Sequence, residues 1–272
     1  MPELPEVETI RRELNAELPG RRIEELQVHR TSVVHGKPQA LVQGLTGRRF
    51  GPVERLGKYL LFSFDQGPEL MAHLGMSGKF VLAPTDAERR VHDRVRFLLD
   101  QGRQLIFSEL RCFGFLELLA EGRNHPRLNK LGQDAYSGSY DVKSLKEAWA
   151  ESTRPIKTLL LEQSPLAGIG NIYAAEILFA AQIHPETPGR RLGPKRLARL
   201  ITETKAILEL ALSHNGTSIS DFRRVDDKTG GFQNFLKVYG KENQPCPTCG
   251  GAVKRIVTAQ RSSFFCPRCQ RK

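Results

Sequence analysis

A chain of 272 residues, 26% charged and 39% hydrophobic, is long enough for about two globular domains. Its composition excludes a disordered, collagen-like or coiled-coil protein. The net charge of +11, from 41 Lys and Arg against 30 Asp and Glu, suggests a polyanionic partner. No apolar run reaches 18 residues, and the start, MPELPEVE, is acidic without an apolar stretch. Neither a membrane span nor a signal peptide is therefore expected, and the protein is expected to be cytoplasmic.

Val7, Ile10, Leu14 and Leu18 recur at helical spacing behind Pro5, with Glu6 and Glu8 in a first turn that favours anions. This predicts a helix over residues 5–18, ended by Gly20. From 22 to 119 the pattern changes to short β-rich runs: RIEELQVHR, KYLLFSFD, ELMAHLGM, GKFVLA, RVRFLLD, RQLIFSE and GFLELL. Gly, Pro and Asp punctuate them closely, which predicts a β-sandwich or barrel capped or flanked by the first helix. Residues 120–154 carry Gly, Asn, Pro and Ser clusters and read as a connection. Helices follow in TRPIKTLLLEQ, with Thr153 as a candidate cap and Pro155 early in the helix, and in NIYAAEILFAAQI. PKRLARLITETKAILELALSH is a long amphipathic helix, with Gly216 just beyond it. Residues 217–240 read as a loop containing DDKTGGF.

The tail concentrates the charge. Residues 241–272 hold seven Lys and Arg against Glu242 alone, whereas residues 1–32 hold five Arg against seven Glu. The tail also carries Cys246-Pro-Thr-Cys249 and, after sixteen intervening residues, Cys266-Pro-Arg-Cys269. Two such knuckles at this spacing describe a zinc ribbon, with VKRIVTAQ and RSSFF as the hairpin strands. Four thiolates leave no open position, so one zinc ion here is structural. Two disulfides or four free thiols are the alternatives, and both fit a cytoplasmic chain less well. Cys112 reads as an incidental thiol. Arg255 and Arg261 make the hairpin a rigid cationic projection.

Gly168 and Gly170 precede a helix beginning near Asn171, a good N-cap residue, and Lys157 lies on the helix before the turn. Backbone N–H groups at such a turn, with Asn171 and Lys157, suit a phosphate; a plain helical corner is the alternative. At the other end, removal of Met1 leaves Pro2 with a free secondary amine, an α-amino group of pKa about 7.7–8.0 that is partly neutral near pH 7. Such an amine can attack a sugar C1′ carbon, with Glu3 and Glu6 beside it to move protons. A Pro at position 2 carries no message alone.

The runs MPELPEVETIRREL, RLGKYLLF, HLGMSG, SPLAGIGNIYAAE, VYG and CPTCG…CPRC, in this order, resemble the bacterial formamidopyrimidine-DNA glycosylase family from end to end. The resemblance implies an α+β, two-domain protein: an N-terminal β-sandwich flanked by helices, then a helix–two-turn–helix domain with a β-hairpin zinc finger. The expected boundaries are 1–130 for the catalytic β-sandwich, 131–152 for the connection, 153–240 for the helical DNA-binding domain with its lesion loop, and 241–272 for the zinc finger. Pro2 matches the Schiff-base nucleophile, Glu3 the general acid/base at the sugar, and Glu6 a supporting acidic position. In Arg55-Leu56-Gly57-Lys58, Lys58 matches a residue that contacts phosphate and assists the reaction. Met76, Arg111 and Phe113 match the set that fills the gap left by a flipped base, with Arg111 facing the estranged cytosine. His92, Asn171 and Arg261 match backbone contacts, and Lys228 matches the loop over the flipped base. One departure is Glu109-Leu110-Arg111-Cys112-Phe113-Gly114, where family members often read D-P-R-R-F-G; it bears on the shape of this loop and on opposite-base stringency.

The implied activity is removal of 8-oxoguanine and formamidopyrimidines from duplex DNA, with the lesion opposite cytosine, by a monomeric, nucleoid-associated enzyme of the bacterial cytoplasm. The DNA would lie in a basic cleft, and no catalytic cofactor would be needed. A Pro2 Schiff base would be followed by β- and δ-elimination. An endonuclease VIII-like enzyme for oxidised pyrimidines is the nearest alternative, but it usually begins P-E-G-P-E and lacks the Met/Arg/Phe set. A non-catalytic zinc-ribbon DNA-binding protein would leave Pro2, Glu3 and Lys58 idle.

Overall fold

The computed structural model describes residues 1–119, 123–218, 224–225 and 228–272. The chain forms two compact units: residues 1–129 with 214–233, and residues 130–213 with 234–272. Residues 214–233, read from the sequence as part of the helical segment, pack with the first unit.

The first unit opens with α1 (Leu4–Glu17), followed by β1 (Ile23–Val28), β2 (Val34–His35), α2 (Pro38–Leu45) and β3 (Phe50–Leu56). Then come β4 (Tyr59–Phe64), β5 (Leu70–His73), β6 (Lys79–Pro84), β7 (Asp93–Leu99), β8 (Arg103–Ser108), β9 (Phe115–Leu118) and the short α3 (Pro126–Asn129). Two sheets result, ordered β2-β9-β5-β4-β3 and β1-β7-β8-β6. They pack as a sandwich and do not close into a barrel. Side chains from both sheets share one core, with Phe62 and Phe80 at 5.2 Å between ring centroids and Phe50 and Phe97 at 6.3 Å. Both are tilted geometries that aromatic quadrupoles favour over a flat stack. Strand β7 alternates buried and half-buried residues along its length, as a period-2 strand with one face in a core should. The stripe Val7, Ile10, Leu14 and Leu18 of α1 is fully buried in the same core, so the first helix is a core element and more than a cap.

Two elements of this unit escape a sequence reading. In β3, Pro52 and Gly51 break the β pattern; the strand survives because its register shifts between Phe50 and Val53, which excuses Pro52 from the ladder. Helix α2 has only eight residues, with Leu41 and Leu45 buried four apart.

The second unit contains β10 (Gln133–Asp134), α4 (Val142–Trp149), α5 (Ile156–Leu161), β11 (Leu166–Ala167), α6 (Asn171–Ala180), α7 (Pro194–Ser213) and the hairpin β12 (Lys254–Thr258) and β13 (Arg261–Phe265). Helix α4 lies inside the segment read as a connection. Asp141 caps it by accepting from the Ser144 N–H at 2.8 Å, and Leu145 and Trp149 bury its inner face. The N-cap of α5 is Pro155, not Thr153, and that of α6 is Gly170, with Asn171 as its first helical residue.

Candidate nucleic-acid interface and catalytic residues

Pro2 is buried immediately ahead of α1. Glu3 is the N-cap of that helix, and its N–H donates to Glu6 Oε2 at 2.8 Å. The other oxygen of Glu6 accepts the Thr217 N–H at 2.7 Å. Both oxygens of Glu6 thus hold backbone, and Glu3 and Glu6 are nearly inaccessible. One turn on, Glu8 accepts from Arg11, Arg12 and the Arg55 Nε, the last at 3.0 Å. Burial raises the Glu8 carboxyl, but hydrogen bonds from the three guanidinium groups outweigh it and hold the pKa at about 2. Arg55 also donates to the Gly57 carbonyl at 3.1 Å. It therefore fastens the β3–β4 turn, and with it the buried Lys58, to the helix that begins behind Pro2.

Met76 and Phe113 stand out from this unit at 38% and 58% exposure, on the loops after β5 and before β9. The loops touch through glycines: a Cβ on Gly75, whose φ is +60°, would lie 2.3 Å from the Gly114 nitrogen. The Arg111 guanidinium sits over the Phe113 ring, 4.9 Å from its centroid. Beneath both loops lies Glu109, with no exposed surface. Its Oε1 accepts the Ser77 hydroxyl and the Arg111 N–H at 3.0 Å, and its Oε2 accepts the Gly114 N–H at 2.8 Å. The Glu109 N–H donates to the His92 carbonyl at 3.0 Å. His92, half-buried, lines an open cavity of about 600 Å³ with Lys79, Arg89 and Arg90. His73, at the end of β5, accepts the Gly75 N–H on Nδ1 at 3.0 Å. Burial, with the Lys58 and Arg127 charges, lowers its pKa to about 4 and keeps that acceptor available. Cys112 takes a positive φ of 55° and packs against the core.

In the second unit the Sγ atoms of Cys246, Cys249, Cys266 and Cys269 all lie within 4.8 Å of one another, with Cys246–Cys269 at 3.8 Å and Cys249–Cys266 at 3.5 Å. Four thiolates at Zn–S distances of about 2.3 Å would be about 3.8 Å apart, so the set fits one tetrahedral zinc ion. The electrostatics agree: burial and the neighbouring sulfurs raise Cys269, a crowding that a cation relieves. Cys246 and Cys266 pack with Ala175 and Phe179 of α6 and with Val238 and Val253. Lys157 is 1% exposed, and its Nζ donates to the Ser262 carbonyl at 2.5 Å and the Ser263 hydroxyl at 2.8 Å. It holds β13 rather than lying open to a phosphate. Arg261 is exposed at the hairpin turn, and Asn171 is half-buried with its Oδ1 unpartnered. Lys228 is exposed in the first unit, and its carbonyl accepts the Arg224 N–H. Its predicted loop runs through 219–223 and 226–227, outside the described residues.

Three family models match most of the chain. The formamidopyrimidine-DNA glycosylase N-terminal domain matches residues 1–116, the formamidopyrimidine-DNA glycosylase H2TH domain residues 131–223, and the zinc finger found in FPG and IleRS residues 243–271. The chain belongs to the formamidopyrimidine-DNA glycosylase family. Formamidopyrimidine-DNA glycosylases of Paracoccus denitrificans and Stenotrophomonas maltophilia are each 40% identical to it, over 99% and 100% of this chain and the whole of theirs. A mutant Lactococcus lactis FPG in complex with Fapy-dG-containing DNA superposes with a TM-score of 0.94 at 37% identity over the whole of both chains. The wild-type Lactococcus lactis protein with oxidised-pyrimidine DNA gives 0.93, also at 37% identity over both whole chains. Membership makes the chain a DNA glycosylase of base excision repair, with DNA as its partner. Among the described residues, no helix is long and apolar enough to cross a membrane.

Against the family pattern, two functional supports went unread in the sequence. Glu109 registers there only as a departure from D-P-R-R-F-G. Glu176, buried on α6, accepts the N–H groups of Lys237, Val238 and Tyr239 at 2.8–3.0 Å and so explains the VYG run ahead of the zinc knuckle. A charged residue inside an otherwise apolar helix, NIYAAEILFA, was the available signal.

Proposed function

We propose that the chain is a bifunctional glycosylase/AP lyase acting on 8-oxoguanine and formamidopyrimidines in duplex DNA, with the lesion opposite cytosine. The observation that supports this most strongly is the start of α1, where Pro2 and Glu3 are buried side by side and Glu6 holds backbone with both oxygens. After removal of Met1, Pro2, beside the α1 N-cap Glu3, carries a secondary amine. Its lone pair attacks C1′ of the flipped nucleotide, the glycosidic bond breaks, and the base departs with that bonding pair and takes up a proton. The Pro2 nitrogen loses its proton, the C1′–O4′ bond opens with O4′ taking up a proton, and the nitrogen lone pair forms the C1′ iminium, which acidifies the 2′ carbon. Loss of a 2′ proton, assigned to Glu3, expels the 3′ phosphate, and a second proton loss expels the 5′ phosphate. Glu6 is assigned to positioning, since neither oxygen is left for transfer.

Lys58 is assigned to a phosphate beside the lesion, and Met76, Arg111 and Phe113 to the gap, with Arg111 on the estranged cytosine. His92, Asn171, Arg261 and Lys228 are assigned to the DNA. The place of Asn171 as the first residue of α6 supports its part, because a helix N-terminus favours a phosphate. Lys157 is assigned to support of the hairpin. The four cysteines hold one structural zinc, which supplies folding energy to the hairpin and no chemistry at the sugar. The enzyme is assigned as a monomer of the bacterial nucleoid. A wider lesion range that includes oxidised pyrimidines is favoured by the Lactococcus lactis complex with such DNA.

Borohydride trapping tests this reading. With an 8-oxoguanine:C duplex the wild-type chain is expected to give a covalent adduct, and Pro2→Gly to lose it by at least about a hundredfold, or roughly 2.7 kcal/mol. Absence of the adduct, or equal trapping by Pro2→Gly, contradicts the mechanism.

A further inference from the structure

Three loops carry the side chains assigned to the gap and its flank: Met76 on one, Arg111 and Phe113 on a second, His92 on a third. Met76, Arg111 and Phe113 are exposed. What the loops share is Glu109. Its carboxylate accepts Ser77 from the Met76 loop and the Arg111 and Gly114 N–H groups, which bracket Phe113 on either side. Its backbone N–H donates to His92 O, and its carbonyl accepts the Arg94 Nε at 2.6 Å. The space is tight: a Cβ on Gly114 would lie 2.6 Å from Glu109 Oε2 and 2.8 Å from the His73 carbonyl. A buried carboxylate facing only donors is a stable arrangement, and every donor it fixes removes freedom from a loop.

We infer that Glu109 is a positioning residue for opposite-base discrimination: it sets the spacing of Met76, Arg111 and Phe113 so that Arg111 meets the base opposite the lesion. This rests on the assignment of those three side chains to the gap. It also accounts for the departure at this loop. The side chain that anchors the turn is one methylene longer than an Asp, and Cys112 turns inward at positive φ against the core instead of adding a second exposed cation.

Glu109→Gln tests the inference. An amide presents one acceptor oxygen and one NH2 group to three donors, so at least one loop contact becomes a donor–donor clash. Single-turnover excision of 8-oxoguanine opposite C and opposite A is measured for wild type and variant, beside borohydride trapping on a preformed abasic site. The expected result is a loss of at least about tenfold opposite C and a fall of the C:A ratio to within about threefold of unity, with abasic-site trapping changed by less than about threefold. Equal losses opposite C and A, or an unchanged ratio, overturn the inference. If circular dichroism shows that Glu109→Gln is unfolded, Ser77→Ala carries the test, because it deletes one donor and leaves the carboxylate. A two- to threefold fall in the ratio is then expected, and no change overturns the inference. Failure of the wild-type chain to trap at all contradicts the proposed lyase chemistry instead and is read separately.

Discussion

The zinc hairpin and the loops that carry Met76 and Phe113 solve one problem with opposite charges. Each is a short stretch of chain gathered about a buried charged centre. In the hairpin the centre is a cation site of four sulfurs within 4.8 Å, backed by the buried ammonium of Lys157. In the loops it is Glu109, and around the start of α1 it is Glu6 and Glu8. The acidic start of a chain with a +11 surplus follows in part from this: Glu6 and Glu8 hold backbone and guanidinium groups. The two devices should also fail under different conditions.

Removal of the metal is expected to have the largest effect. Chelation should release one zinc per chain and weaken duplex binding by at least about a hundredfold, because the hairpin has little other core to keep Arg261 in place. The first unit should remain folded by near-ultraviolet circular dichroism. Unchanged DNA affinity after metal loss would erase the distinction between the two regions.

Acid should act the other way round. The Glu8 carboxyl lies at about 2 in the fold against an unperturbed value of about 4.5. A depressed carboxylate contributes stability that is present above pH 4.5 and is lost as pH falls towards 2. With solvent screening allowed for, the loss is on the order of 2 kcal/mol. Thermal melts between pH 6 and pH 3 should show this loss in the wild type and a smaller one in Glu8→Gln; parallel slopes would remove Glu8 as a brace.

Lys157→Met should have the smallest effect of the three. It leaves the Ser262 carbonyl and Ser263 hydroxyl without their donor, which predicts about tenfold weaker DNA binding by fluorescence anisotropy, or roughly 1.4 kcal/mol. Trapping at saturating DNA should be unchanged. A large loss of trapping at saturation would instead place Lys157 at the reacting sugar.

The parts of this molecule that could be read from sequence are those with a period or a fixed spacing. The stripe from Val7 to Leu18, the alternation along β7 and the two cysteine knuckles each follow from a local rule. The parts that could not be read depend on what lies across the fold. Strand β3 contains Pro52, tolerated only because a register shift spares it a ladder bond. Lys157 has the look of a phosphate ligand until Ser262 and Ser263, more than a hundred residues later, are placed against it. Glu109 has its nearest partners, Arg111 and Gly114, two and five residues along the chain, but its importance comes from Ser77, thirty-two residues earlier. Glu6 carries an acid's chemistry in sequence and a cap's duties in the fold.

The central claim is that the nitrogen of Pro2 forms the covalent bond to DNA. Mass spectrometry of the borohydride-reduced adduct, after nuclease and trypsin digestion, tests this most directly. The account predicts the sugar remnant on the amino-terminal peptide Pro2–Arg11, with Met1 absent and the mass on Pro2. A remnant on Lys58, or an adduct on a chain that retains Met1, would contradict it.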